Sequence, residues 1–311
     1  MSMERIPYQK NPISIDEQVR RLKQRGLIFD DESLAKAYLS NISYYRLRAY
    51  TYPFQDNEGL TPSHHFIRED IHFCDIIALY RFDRQLRLLI FNALEKIEVA
   101  IRTKLTQLYA EAKQDSHWFC QPDCYYSEDF FEAIQRQIKE DVIRSNEDFI
   151  KHYKSKYSSP EIPPSWMSLE VVSMSTLSRL YKNLKKDETK KTVARQFGLN
   201  DVEVLANWLH AFSNLRNCCA HHSRVWNRRF MVHITLPYNT VFPFMDRNTA
   251  RTIKQNKLFA LLSCIKYLND ILSPQNDFKA NLKGLLSQGG KLLSEKDMGF
   301  PMNWESLPVW H

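Results

Sequence analysis

Arg216, Asn217 and His221 fall within one stretch, Leu215–Arg228, dense in side chains that handle phosphate. Arginine is permanently charged and can grip a phosphate through two parallel N–H bonds. Histidine exchanges protons near neutral pH, with an unperturbed pKa of about 6.5. Asparagine can bond a phosphate oxygen or fix a histidine tautomer. This set suits cleavage of RNA by attack of a ribose 2′-OH on its neighbouring phosphate. That reaction needs a base for the 2′ proton, an acid for the leaving 5′ oxygen and a cation for the phosphorane charge. His222 and Arg224 are supporting candidates, and Arg228 is a candidate RNA contact.

The element that must position these groups is a helix expected over 201–226. Trp208, Phe212, Leu215, Cys219, His222 and Trp226 recur at alternating spacings of four and three, which places them on one core-facing stripe. Ser213, Arg216, Asn217, Ala220, His221 and Arg224 fall on the other side, within a sector of roughly 140°. On this wheel His221 belongs to the polar face, and His222 reads as a hydrogen-bonded core histidine. One polar face then supplies one histidine, whereas the reaction needs both an acid and a base. Arg216 and His221 also lie about 140° apart around the helix. Both difficulties ease in a homodimer whose two-fold axis brings two such faces together, with small Ala220 permitting close approach.

A second long helix is predicted from about 70 to 109, where Leu79, Phe82, Leu86, Ile90, Leu94, Ile97, Ile101 and Leu105 keep helical spacing. Glu95, Glu98 and Arg102 share one of its faces. The plain reading is an i,i+4 ion pair between Glu98 and Arg102. The functional reading is that this face abuts the Arg216/His221 surface and tunes it. Upstream, Ser14 with Glu17 has capping-box form, Gly26 is a natural stop, and Asp30 or Asp31 can cap a second helix. A third short helix is expected near Asn41 or Ser43. Three such helices resemble a helix-turn-helix or winged-helix module. Within it Tyr44, Tyr45, Arg46 and Arg48 interleave rings and guanidiniums, a composition suited to base stacking and phosphate pairing; the plain reading is that the tyrosines pack and the arginines are solvated. Lys185 and Lys186 belong to a basic run with Lys182, Lys190 and Lys191, either a solvated face or an extension of an RNA-binding surface.

The expected organisation is an N-terminal helical module over 1–60, a helical core over 61–272 with an irregular insertion at about 111–165, and a C-terminal helix and tail over 273–311 that pack on the core. Residues 1–12 read as an irregular lead, 53–70 as a connector with Pro53, Gly59 and Pro62, and 229–246 as β-like or extended. One helix is expected within 128–156, another opening near a Ser165 cap, and a last core helix over 252–272.

A net charge of +7 favours an anionic partner: RNA, DNA or acidic protein. Seven glycines are too few for a fold built on Gly-rich phosphate loops, and no Walker or dinucleotide fingerprint occurs. No apolar run approaches the roughly 20 residues of a membrane span, and no signal-peptide pattern is readable, so a cytoplasmic protein with reduced cysteines is expected. His117, Cys120 and Cys124, or Cys218, Cys219 and His222, could in principle hold zinc. Neither set has knuckle spacing, so no metal and no cofactor is expected.

The arrangement Arg216-Asn217-x-x-x-His221 resembles the R-x4-H signature of the HEPN superfamily of helical ribonucleases. Its surroundings, Trp208-Leu209-His210 through Ala220-His221-His222-Ser223-Arg224-Val225-Trp226-Asn227-Arg228, resemble the Abi-like (abortive infection) family. Further matching stretches are Leu22–Leu27, Tyr44–Leu47, Tyr52–Phe54, Phe82–Arg87, Ile97–Arg102, Trp166–Glu170, Leu177–Tyr181, Met298–Pro301, Trp304, Pro308 and Trp310. The resemblance implies a mainly α fold: a HEPN-like bundle with the small N-terminal module and an extended C-terminal tail. It implies metal-independent endoribonuclease activity as a phage-defence toxin, with Arg216, Asn217 and His221 at the family's R-x4-H positions. It also implies that a small structured RNA could regulate the protein. The alternatives are a non-catalytic RNA-binding protein and a DNA-binding regulator.

Overall fold

The computed structural model describes residues 7–58 and 62–311. Residues 1–6 of the expected lead and Gly59 of the expected connector lie outside these. Among the described residues, regular structure is helical, with fourteen α-helices, short 3-10 turns and only isolated β-bridges. The chain is mainly α. It divides into two compact units, one drawn from Met1–Arg84 and Leu286–Leu293, the other from Gln85–Leu285 and Ser294–His311.

The first unit holds α1 (Ile15–Gln24), α2 (Glu32–Ile42), α3 (Tyr44–Thr51) and the start of α4 (Phe73–Lys113). Each short helix begins where a side-chain oxygen takes up an otherwise unpaired N–H. Ser14 accepts from Glu17 N at 3.2 Å, Asp31 from Leu34 N at 3.0 Å and Ser43 from Arg46 N at 3.3 Å. Glu17 does not complete its capping box; it pairs with Arg20 and Arg21 instead. Gly26 ends α1 with a φ of +93°, which lets Leu27 N–H return to Leu22 O at 3.1 Å. Val19, Leu22, Ala35, Leu39, Leu47 and Tyr50 are buried, and Tyr50 donates its hydroxyl to Asp83 at 2.6 Å. No β-wing accompanies the three helices among the described residues.

The second unit contains the rest of α4, then α5 (Glu128–Arg144), α6 (Asp148–Lys156), α7 (Ser165–Ser168), α8 (Met174–Asn183), α9 (Glu188–Gln196), α10 (Val202–Ala220), α11 (Arg247–Thr252), α12 (Leu258–Leu272), most of α13 (Phe278–Ser287) and α14 (Glu295–Met298). The helix expected within 128–156 is two, divided at 145–147, where Ser and Asn compete for backbone bonds. Ser165 is not a cap but the first residue of α7, behind Pro164; Ser173 caps α8 by accepting from Thr176 N at 3.1 Å. Central α10 packs against α8, α9 and α12. It buries Leu205, Trp208, Leu209, Phe212, Leu215 and Cys219. The segment 229–246 is extended but forms no strand: Phe230 N and Ile234 N donate to Asn256 O and Gln255 O, Thr240 makes one isolated bridge with Leu199, and α10 side chains take up Thr235. Thr235 N donates to Asn207 Oδ1 at 2.7 Å, and Trp208 Nε1 donates to Thr235 O at 2.7 Å. The C-terminal tail lies against α12, where Trp310 Nε1 donates to Ser263 Oγ at 3.0 Å.

The basic run after α8 is not wholly a solvated face. Lys190 is completely buried. Its ammonium donates to Lys182 O at 3.1 Å and Leu184 O at 2.8 Å, closing the end of α8, and lies over the rings of Tyr181 and Tyr126. Burial pushes its pKa down to about 8.

Candidate nucleic-acid site

Helix α10 stops at Ala220, six residues short of the expected end. His221 is its C-cap and donates its N–H to Asn217 O at 3.0 Å. His222 then takes the left-handed conformation with φ +56°, its N–H returning to Cys219 O at 3.1 Å. Ser223 N–H returns to Cys218 O at 2.8 Å. This is the same Schellman closure that ends α1, with a histidine where α1 has Gly26. A side chain in that conformation costs about 1–2 kcal/mol. What holds it is downstream: Val225 and Trp226 are fully buried. Truncating a buried Trp typically costs about 3–5 kcal/mol, so the anchor outweighs the strain. Lys257 adds to it by donating to Asn227 Oδ1 at 3.0 Å and Asp297 O at 2.7 Å, and burial lowers its pKa.

Two expectations change as a result. His222 is not a core histidine; it is exposed beside exposed His221, because the turn swings it off the apolar stripe. Trp226 reaches the core from the turn and not from the helix. Ser213, placed on the polar face by the wheel, is 4% exposed and belongs to the packed part of α10.

Arg216 is half-buried and Asn217 exposed, one turn before the end of α10. The Arg216 guanidinium lies over the Phe91 ring, 5.5 Å from its centroid. Its Nε lies 3.6 Å from Glu98 Oε2 and has no hydrogen-bond acceptor within normal reach. Glu98 therefore joins both readings made of it. Its Oε1 accepts from Arg102 Nη2 at 3.1 Å, while Oε2 faces Arg216. Arg102 is buried, with Nε donating to Leu169 O at 2.7 Å and Nη2 to Val172 O at 3.2 Å. The chain of support runs from the carbonyls between α7 and α8, through Arg102 and Glu98, to Arg216.

The other candidates are spread more widely. Arg224 lies over Trp226, and Arg228 Nη1 donates to Arg224 O at 3.3 Å. Arg87, not anticipated, donates Nη1 to Ser223 O at 3.4 Å and so steadies the turn. Lys185 is exposed, whereas Lys186 is paired with Glu203 at 2.8 Å. In the first unit Tyr45 is 87% exposed and Arg46 exposed on α3, while Tyr44 accepts from Arg25 and Arg48 lies over Tyr52. Phe91 is the other residue the sequence reading missed. With Leu88 and Val99 it forms an exposed apolar stripe on α4, 36–52% accessible. Its spacing of three and eight, on a helix whose core stripe is already complete, is the signal that could have found it.

His117 cannot serve the first suggested zinc set: Nδ1 meets Ser116 Oγ and Nε2 meets Ile162 O. Among the described residues no helix is long and apolar enough to cross a membrane.

These features define a mainly α-helical protein with an arginine, an asparagine and two histidines gathered at one buttressed helix end. The Abi-like protein family model matches residues 37–227, and the chain belongs to that family. The match includes α10, its closing turn and Glu98, and leaves out the 22–27 and 298–310 stretches. No curated protein and no solved structure matches the chain.

Proposed function

We propose that this chain is an abortive-infection endoribonuclease that cleaves RNA at the C-terminal end of α10 without a metal. The observation that carries this reading is the join of a buttressed Arg216 to an exposed His221 through one turn of the same helix. Arg216 is only half-buried, so with its Nε turned inward to Glu98 the rest of the guanidinium is left to meet a phosphate. His221 removes the 2′ proton, the 2′ oxygen bonds to phosphorus, the P–O5′ bond breaks, and a second histidine protonates the 5′ oxygen. The products are a 2′,3′-cyclic phosphate and a 5′ hydroxyl.

The second histidine has two sources. Exposed His222 is one, so histidine count no longer requires a second copy. The homodimer keeps a separate support in the apolar Leu88/Phe91/Val99 stripe, which runs beside Arg216 and suits burial against its own copy. Tyr45 and Arg46, exposed on α3, favour a further RNA contact in the first unit, where a small structured RNA could be held.

Incubation with RNA in the presence of EDTA tests the reading. The expected result is cutting that leaves cyclic phosphate ends and is lost in His221→Ala. Tight RNA binding by the wild type without cutting would establish the non-catalytic alternative, and duplex DNA binding lost on changing Arg46 would point to a regulator.

A further inference from the structure

We propose that Asp30, His72 and Cys74 form a binding site for a thiophilic divalent cation, zinc by preference. The site lies wholly in the first unit and is independent of the ribonuclease reading. One ligand atom from each residue lies within 4.8 Å of the other two. His72 Nδ1 is 2.8 and 3.0 Å from the two Asp30 oxygens, and Cys74 Sγ is 3.6 Å from Asp30 Oδ2. Tetrahedral zinc, with bonds of about 2.1 Å to oxygen and 2.3 Å to sulfur, sets its oxygen and sulfur ligands about 3.6 Å apart. The sulfur–oxygen separation already fits. The nitrogen–oxygen pair must open by about half an ångström, a rotamer adjustment of exposed Asp30.

The backbone holds the two contributing segments in register. Ile28 N donates to Ile71 O at 3.0 Å and Phe73 N to Ile28 O at 2.8 Å, a single parallel bridge on either side of His72. His72 N donates to Asp75 Oδ2 at 2.8 Å, so the main chain before α4 is fixed while the imidazole turns towards Asp30. Thiolate with imidazole and one carboxylate favours zinc over magnesium or calcium, which take oxygen ligands. Asp30 and Cys74 also line a small cleft with Leu34, Tyr38 and Arg81, which leaves room for water or an anion as fourth ligand.

The Cys74 thiol donates to Asp30 Oδ2 at 3.6 Å, so a cation entering between them displaces this proton. Binding then breaks Sγ–H, forms the metal–sulfur bond and releases the proton to solvent. Bound metal would staple the loop before α2 to the start of α4.

Titration of the metal-free full-length chain with cobalt(II) tests the site, followed by zinc calorimetry. The expected result is a thiolate-to-cobalt charge-transfer band saturating at one ion per chain. The band should be lost in Cys74→Ser and kept in Cys218→Ser, and zinc affinity should fall at least about tenfold in His72→Ala. Absence of the band in the wild type, its persistence in Cys74→Ser or its loss in Cys218→Ser would overturn the proposal.

Discussion

Glu98 Oε2 lies 3.6 Å from Arg216 Nε and ties the middle of α4 to the last turn of α10. The same carboxylate accepts from buried Arg102, so one acidic side chain serves a structural guanidinium and a candidate catalytic one. Removing its charge should loosen Arg216 without unfolding the chain. Glu98→Gln is expected to lower RNA cleavage roughly 10- to 100-fold, through misplacement of a charged group. Circular dichroism should stay native. The check is single-turnover cleavage beside a melting curve.

Arg102→Met removes the partner that fixes Glu98 and strands the carbonyls of Leu169 and Val172. The cost of breaking such a buried arrangement is about 3 kcal/mol or more. Urea unfolding should show this as a lower midpoint with an unchanged slope.

His222 can be examined by two substitutions that delete the same contacts. His222→Gly and His222→Ala both lose the imidazole, but only glycine adopts φ +56° without strain. The glycine variant should be more stable than the alanine variant by about 1 kcal/mol. Equal stabilities would mean that the turn is not strained.

Lys190 gives a pH signature. Its pKa is about 8 in the fold, below the ordinary lysine value. Between that value and roughly 10.4 the unfolded chain holds the proton and the folded chain has released it. Stability therefore rises with pH across this window, by an amount on the order of a few kcal/mol. In Lys190→Met that contribution should vanish, so the difference between variant and wild type changes above pH 8 and is constant below it. Urea unfolding at a series of pH values measures it.

The helices of the first unit were legible because each announces itself locally. Ser14, Asp31 and Ser43 cap, and Gly26 stops α1. The end of α10 was not, because the residue in the left-handed position is a histidine and the apolar period runs on to Trp226. Tertiary contacts hold the turn, chiefly the burial of Val225 and Trp226 with help from Lys257 and Arg87, and no local propensity encodes it. Arg216, Asn217 and His221 stood out less for their spacing, which is common by chance, than for the run around them from Trp208 to Arg228. The Glu98 bridge was readable as a possibility from one helix face. Its second partner, and the Phe91 platform, depended on which face of α4 meets α10. The Asp30–His72–Cys74 cluster escaped notice because 42 residues separate its halves.

The central claim is that the end of α10 uses a ribose hydroxyl as its nucleophile with His221 moving the proton. A DNA oligonucleotide carrying a single ribonucleotide, incubated with the protein in EDTA, measures this most directly. One cut is expected, immediately 3′ of the ribose, ending in a cyclic phosphate and absent in His221→Ala. Cutting of the all-DNA control at the same rate, or full activity in His221→Ala, would contradict it.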